Sequence, residues 1–303
     1  MSATFPESTT AILRPAVAKQ KFSLARHAPA EDLVPFVASY WLLHWDLPAD
    51  ETHVQEIVPY PCVNLVIESS NGVDRGDVFG VYTPIYKHEL MGQGCVFGIK
   101  FQPAGFYPFV NSPMHQLTNK SRPLMDLFGA AGCIFQETIL ALDCGCDGNR
   151  SFPLAKNSGS HSELSINDEQ ARIAAANQFL LERLPPVDET IFLLNEVVAA
   201  IINDRTLTRV EAVAEQANSS VRTLQRLFRT YMGVSPKQII RQCRLQEAAA
   251  RMDMGESLDL AQLALTLGYF DQAHFTRDFT AMVGVSPTQY AADALSFKSI
   301  NWK

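Results

Sequence analysis

Two stretches of the C-terminal third repeat each other. Leu224-Gln-Arg226-Leu-Phe228 followed by Gly233-Val-Ser-Pro236-Lys-Gln238 returns as Phe275-Thr-Arg277-Asp-Phe279 followed by Gly284-Val-Ser-Pro287-Thr-Gln289, every matched pair 51 residues apart. A constant offset over an apolar-x-Arg-x-Phe run and a Gly-Val-Ser-Pro run marks a duplicated supersecondary unit. Each copy has the grammar of two short helices around a tight turn. In the second, Ser257 is a candidate cap for a helix whose inner face is Leu260, Leu263, Ala264 and Leu267. Gly268 then suits the left-handed residue that ends such a helix. In the first, Val210, Val213, Ala214 and Ala217 form the inner face, and Asn218 stands in the glycine's place. Ser219-Ser220 caps the next helix, with Leu224, Leu227 and Phe228 inside. The second turn is one residue longer, because Ala214 and Ala264 are offset by 50. A helix from about Ser235 to Met252 joins the units. At ~25 Å it is a strut able to hold two helices near the ~34 Å spacing of successive major grooves.

Charge agrees with this partition. The 303-residue chain carries a net charge of −7, but residues 1–204 hold −10 and residues 205–303 hold +3. Between 219 and 251 stand Arg222, Arg226, Arg229, Lys237, Arg241, Arg244 and Arg251 against the single acid Glu247. Such a cluster suits phosphates, although a basic run alone also fits a solvated helix face. With 47% hydrophobic and 19% charged residues, a wholly disordered chain is excluded, and the length suggests about two domains. No membrane-length apolar run and no export signal is read, and six scattered cysteines fit reduced thiols. The expectation is a cytoplasmic protein.

Val213-Ala-Glu-Gln-Ala-Asn-Ser-Ser-Val-Arg-Thr-Leu-Gln-Arg-Leu-Phe, the Gly-Val-Ser-Pro run and Arg241-Gln-Cys-Arg-Leu-Gln-Glu-Ala resemble the DNA-binding domain of AraC/XylS-type transcriptional regulators. Leu263-Ala-Leu-Thr-Leu-Gly-Tyr-Phe-Asp-Gln-Ala-His-Phe-Thr-Arg-Asp-Phe and Tyr290 resemble that family's second motif. Two departures stand out: Asn218 replaces a usual glycine, and Ala291-Ala292 stands where an arginine is common, which argues against a phosphate contact there. The resemblance implies base-facing positions Arg222, Gln225, Arg226 and Arg229 on the first recognition helix. On the second it implies Gln272, Ala273, His274, Thr276 and Arg277. Arg forks suit guanine and Gln suits adenine. Ser220, Thr223 and Lys237 are the phosphate candidates. Leu224, Phe228, Phe275 and Phe279 are assigned to the core. Arg226 and Arg277 occupy equivalent places, where the repeat also fits a structural salt bridge.

The N-terminal part reads differently. Residues 1–21 are a lead-in. Residues 22–142 are a β-rich sandwich or barrel-like regulatory domain with helical text from 124. Asn71-Gly72 predicts a hairpin turn, and imperfect alternation over Asn64–Glu68 predicts that both faces of that strand are partly covered. The Gly/Ser-rich stretch 143–168 reads as a flexible linker or a loop insertion. Helices over 169–184 and 188–203 form a connector with a dimerisation or transmitting role, before the domain at 205–292 and a tail at 293–303. The fold class is therefore multi-domain α+β, a β-rich N-terminal domain with flanking helices followed by an all-α domain.

Trp41, a Glu56-x-x-Pro-x-Pro stretch, Phe97-Gly-Ile-Lys-Phe-x-Pro-Ala-Gly and Ser121-Arg-Pro-Leu weakly resemble N-terminal domains found beside such DNA-binding domains. Trp41, His44, Tyr60, Tyr82, His88 and Lys100 are candidates to line an effector pocket, with core aromatics and surface histidines as the alternative. Cys144-Gly-Cys146 with His161 is the best metal cluster, but its spacing is poor, so no metal and no cofactor is expected. Some alkylation-repair proteins join this type of DNA-binding domain to a methyl-accepting cysteine. Pro61-Cys62 is similar to their Pro-Cys-His-Arg motif, but Val63-Asn64 follows and the activating histidine is missing. The expectation is a non-enzymatic regulator whose partners are double-stranded DNA, a small-molecule effector, RNA polymerase or a second copy of the chain. A regulator without effector, controlled by abundance or a protein partner, is the alternative, and activation or repression is not legible.

Overall fold

A computed structural model describes residues 13, 18, 20–142, 163–186, 188–254 and 259–300, with backbone alone at 163–167 and 294–300. The N-terminal half is built on two antiparallel sheets. Strands β1 (Ser23–His27), β2 (Val37–Asp46), β3 (Thr52–Ile57), β4 (Asn64–Ser70), β5 (Val73–Phe79), β6 (Tyr86–Met91), β7 (Gln93–Phe101) and β8 (Ser121–Pro123) form a six-stranded sheet, ordered β1-β2-β7-β4-β5-β8, and a separate β3-β6 pair. The β4–β5 hairpin turns on Asn71 (φ 51°) and Gly72 (φ 75°), both left-handed, as the sequence predicts.

The six-stranded sheet is covered on both faces. One carries Tyr40, Leu42, Leu65, Ile67, Phe97 and Ile99 toward helices. The other carries Trp41, Leu43, Trp45, Val66 and Val96, which pack with Leu90 of the small sheet. Glycine makes this second layer thin. A Cβ on Gly98 would lie 2.0 Å from the Trp41 ring and one on Gly94 2.1 Å from the Trp45 ring, so the indoles occupy side-chain space on β7.

Helices follow. α1 (Tyr107–Val110) is short. The predicted helical text from 124 breaks into α2 (Leu124–Phe128) and α3 (Ala130–Ala141), because Gly129 at φ 58° leaves the helical region. α4 (Glu163–Leu181) begins inside the stretch read as linker; Glu163-Leu-Ser-Ile-Asn-Asp is polar but has no Gly or Pro to stop a helix. Residues 143–162 lie outside the described residues. α5 (Glu189–Asn203) is capped by Asp188, whose carboxylate accepts the Thr190 N–H at 2.9 Å. Stacked Phe135 and Phe179 rings, 4.3 Å apart, join α3 to α4.

The duplicated units are α6 (Val210–Gln216) with α7 (Val221–Tyr231), and α9 (Leu260–Thr266) with α10 (Gln272–Val283). Between them runs the strut α8 (Pro236–Asp253), started by a capping box of Ser235 and Gln238, and α11 (Pro287–Ile300) follows the second unit. Asn218 (φ 46°) and Gly268 (φ 75°) both adopt the left-handed turn expected of them. The cap of α9 is Asp259, which accepts from the Ala261 and Gln262 N–H groups. The predicted cap, Ser257, is two residues too early and lies outside the described residues.

Candidate nucleic-acid interface

The turn of each unit aims one helix outward. In the first, the Ser220 hydroxyl accepts the Thr223 N–H at 3.1 Å and starts α7. Leu224 and Phe228 are buried below it, while Arg222, Thr223, Gln225, Arg226 and Arg229 are exposed above. Ser220 and Thr223 also bond each other through their hydroxyls at 2.9 Å. Lys237 is exposed at the first turn of α8. In the second, Asp271 caps α10 by accepting the His274 N–H at 2.6 Å. Phe275 and Phe279 are buried; Gln272, Ala273, His274 and Arg277 are exposed, and Thr276 is half-buried.

The basic cluster divides in two. Arg222, Arg226, Arg229 and Lys237 make no ion pair with a described residue, and neither does Arg277. The other three basic side chains of the cluster are used inside the domain. Arg241 pairs with Asp278 at 3.0 Å. Arg244 donates to the Thr208 carbonyl and lies 5.9 Å over the Tyr269 ring. Arg251 pairs with Glu247, which also takes Arg205 at 3.0 Å. Arg241 thus ties the strut to the second unit, and Arg244 joins it to Thr208 just ahead of the first unit as well as to Tyr269, roles their spacing alone does not reveal.

His274 is less free than the sequence suggests. Its ring stands edge-on to Tyr269 at 5.1 Å and its Nε2 lies 3.7 Å from Asp278. The exposed face of α10 forms a shallow concavity of Gln272, Ala273, Thr276, Arg277, Thr280 and Ala281. Thr280 and Ala281 were not among the sequence candidates; each follows a candidate, Thr276 or Arg277, by four residues on the same face. Phe270, 90% exposed in the turn before α10, was also missed.

The N-terminal domain touches both units. Thr118 donates to the Gly233 carbonyl at 2.7 Å, and Tyr107 lies 4.3 Å from Tyr231, whose hydroxyl donates to Asp188 at 2.6 Å. Burial would raise the Asp188 carboxyl, but the bonds from Tyr231 and Thr190 outweigh it and hold the group below the usual carboxylate range. On the other side, Gln242 and Gln246 of the strut donate to the carbonyls of Tyr82 (3.2 Å) and Pro59 (2.6 Å). The Ile85 N–H donates to the Met282 carbonyl of α10 at 3.0 Å.

The effector candidates are divided by strand alternation. Trp41 and Lys100 share the sheet face turned toward β3–β6. Lys100 sits 3.8 Å over the Tyr60 ring, and burial pulls its ammonium below the usual lysine value. His88 lies 6.4 Å from the Trp45 ring and 3.6 Å from buried Glu68; burial, partly offset by Glu68, lowers its imidazole. Tyr82 joins this row through Tyr86 at 5.4 Å. His44, paired in register with Cys95, alternates with Trp41 and faces the helices instead. Cys62 is buried, and burial pushes its thiol up to about 12, so it is no thiolate at neutral pH. Cys144, Cys146 and His161 lie outside the described residues. Among those described, no group of three or more His, Cys, Asp or Glu could hold a metal, and no helix is long and apolar enough to cross a membrane.

Residues 213–293 match the family model of a helix-turn-helix domain, and residues 25–123 match that of a domain of unknown function, DUF6597. An uncharacterized HTH-type transcriptional regulator of Haemophilus influenzae is 34% identical over 98 residues, 32% of this chain and 33% of the relative. The HTH-type transcriptional activator RhaR of Enterobacter sp. is 29% identical over 107 residues, 35% of this chain and 38% of the relative. The chain thus matches about a third of the length of these curated relatives. Among solved structures, the C-terminal domain of AraT, a response regulator from Geobacillus stearothermophilus, is 26% identical, with 37% of this chain and 88% of that one covered and a TM-score of 0.31. Two capped helices, carried on one strut within the residues that the family model matches, make the C-terminal part of this chain a helix-turn-helix domain.

Proposed function

We propose that the chain is a sequence-specific transcriptional regulator that reads two major-groove segments of double-stranded DNA, one with each unit. The observation that carries this reading is the outward row Arg222, Gln225, Arg226 and Arg229 on a helix whose opposite face is buried. Arg and Gln at such positions can pair bidentately with guanine and adenine edges. Ser220, Thr223 and Lys237 position the helix on phosphates, and Gln272, Ala273, His274, Thr276 and Arg277 form the second reading face. The test is binding of the full chain to genomic fragments from around its own gene at two salt concentrations. Site-specific binding weakened by both Arg222→Ala and Arg277→Ala is expected. Strongly salt-dependent binding without sequence preference would contradict the reading.

We further infer that a small molecule acting on the N-terminal domain modulates this binding. The supporting observation is that segments of that domain around Pro59, Tyr82 and Ile85 bond the strut and α10, while Thr118 bonds the first unit. A ligand that shifts these segments changes how the two reading helices are held. Titration of the DNA complex with a metabolite panel tests it: ligands that bind without altering DNA affinity would sink the coupling.

A further inference from the structure

A recess of about 520 Å³ lies between the helix-covered face of the six-stranded sheet and helices α3 and α4. Ile67, Ser69, Cys95 and Phe97 line it from the strands, and Ile139 and Arg172 from the helices. Arg172 is 3% exposed. Its Nη2 donates to the Leu142 carbonyl at 2.6 Å, but its Nε–H has no acceptor among the described residues. Among the described residues no Asp or Glu lines the recess, and Arg172 makes no ion pair with any of them. A guanidinium cannot shed its proton, so its charge stays where the fold has buried it. The surrounding half of the chain is acidic overall, yet Arg172 pairs with none of its described acids.

We propose that this recess binds a small organic acid: an anionic head on Arg172 and an apolar body against Ile67, Phe97 and Ile139. The free Nε–H and the charge supply the recognition, and the Ser69 hydroxyl lies within the same lining. The site is on the opposite face of the sheet from Trp41 and Lys100. It also has a path to the DNA-binding half. Helix α4 carries Arg172 and also Asn177, whose side-chain oxygen accepts the Ala30 N–H at 3.0 Å and the Tyr40 hydroxyl at 2.8 Å. The chain then enters α5 at Asp188, which holds Tyr231 of the first unit. Only this last step rests on the regulatory reading above.

The test uses the full chain and two fluorescent probes, 8-anilinonaphthalene-1-sulfonate and its uncharged counterpart N-phenyl-1-naphthylamine. One-site binding of the sulfonate is expected, at least ~10-fold tighter than the neutral probe. Octanoate displaces it and octanol does not. Arg172→Met removes the preference, Arg172→Lys keeps part of it, and Ser69→Leu weakens both probes by filling the recess. Equal binding of the two probes, or undiminished sulfonate binding by a folded Arg172→Met protein, overturns the proposal. If Arg172→Met fails to fold, undiminished binding by Ser69→Leu overturns it. Octanoate that binds in an Arg172-dependent way yet leaves DNA affinity unchanged refutes the regulatory reading and upholds the site.

Discussion

Phe228 of the first unit and Phe279 of the second hold the same place in the repeat, yet they are buried in different company. Phe228 and Leu224 belong to the apolar cluster that contains Phe36, Phe97, Phe106 and the inner faces of α4 and α5. Phe279 and Phe275 belong to a separate cluster with Leu245, Ala248 and Met252 of the strut, which the N-terminal domain reaches through Val58 and Ile85. Their reading faces differ as well. α7 exposes three arginines, whereas α10 exposes one, and its acid Asp278 is committed to Arg241 and His274. One duplicated sequence thus serves two purposes. The first unit shares its apolar cluster with the N-terminal half and exposes most of the charge; the second has its own cluster, joined to that half by Val58, Ile85 and a few polar ties.

The largest effects should come from the phenylalanines. Phe228→Ala and Phe279→Ala should each cost about 3–5 kcal/mol. In a Trp302→Phe background, tryptophan emission reports Trp41 and Trp45 of the N-terminal domain. Phe228→Ala should lower the urea midpoint seen by that emission. Phe279→Ala should lower the midpoint seen by helical circular dichroism and leave the emission transition nearly in place. Coincident shifts in both variants would erase the distinction between a fused and a separate unit.

Next comes DNA. Arg222→Ala or Arg226→Ala should weaken specific binding by ~1–3 kcal/mol in gel-shift titrations, and Arg277→Ala by less. An Arg277→Ala loss as large as that of Arg226→Ala would show that the second unit reads as heavily as the first. The turns give a smaller contrast. Gly268→Ala puts a Cβ at φ 75° and 3.0 Å from Thr208, and should cost about 1–2 kcal/mol in thermal melts. Asn218→Gly relaxes the equivalent position and should gain less than ~1 kcal/mol. The smallest effect is Asp278→Asn, which removes a partly exposed pair with Arg241 and should cost under ~1 kcal/mol by calorimetry.

Local signals made much of this legible. Asn71-Gly72, Asn218 and Gly268 each demand a left-handed backbone, and each adopts one, because the demand comes from the residue itself. The strut and the repeated helices follow from apolar spacing and, in the first unit, from capping at Ser220; the capping box at Ser235 emerges only in the fold. What stayed hidden depends on partners distant in sequence. Nothing near Arg241 announces Asp278, and nothing near Arg172 announces a recess whose other walls are β4 and β7. His44 and Trp41 look alike as pocket candidates until the register of β2 sends them to opposite faces. The start of α4 was hidden for another reason: its first turns are polar, and composition alone does not separate a solvated helix from a linker.

The strut α8 is held by Arg241 to the second unit, by Arg244 to Thr208 ahead of the first, and by Gln242 and Gln246 along the N-terminal domain. A rod tied at several points keeps its length. DNA does not present a fixed distance in the same way, since every added base pair turns the duplex by roughly 34–36°. For a regulator built like this, one base pair inserted between the two recognised words would swing the second groove out of phase with α10, with every contacted letter intact. Its targets would then be set by helical phase as well as by sequence, and two correct words at the wrong spacing would go unread.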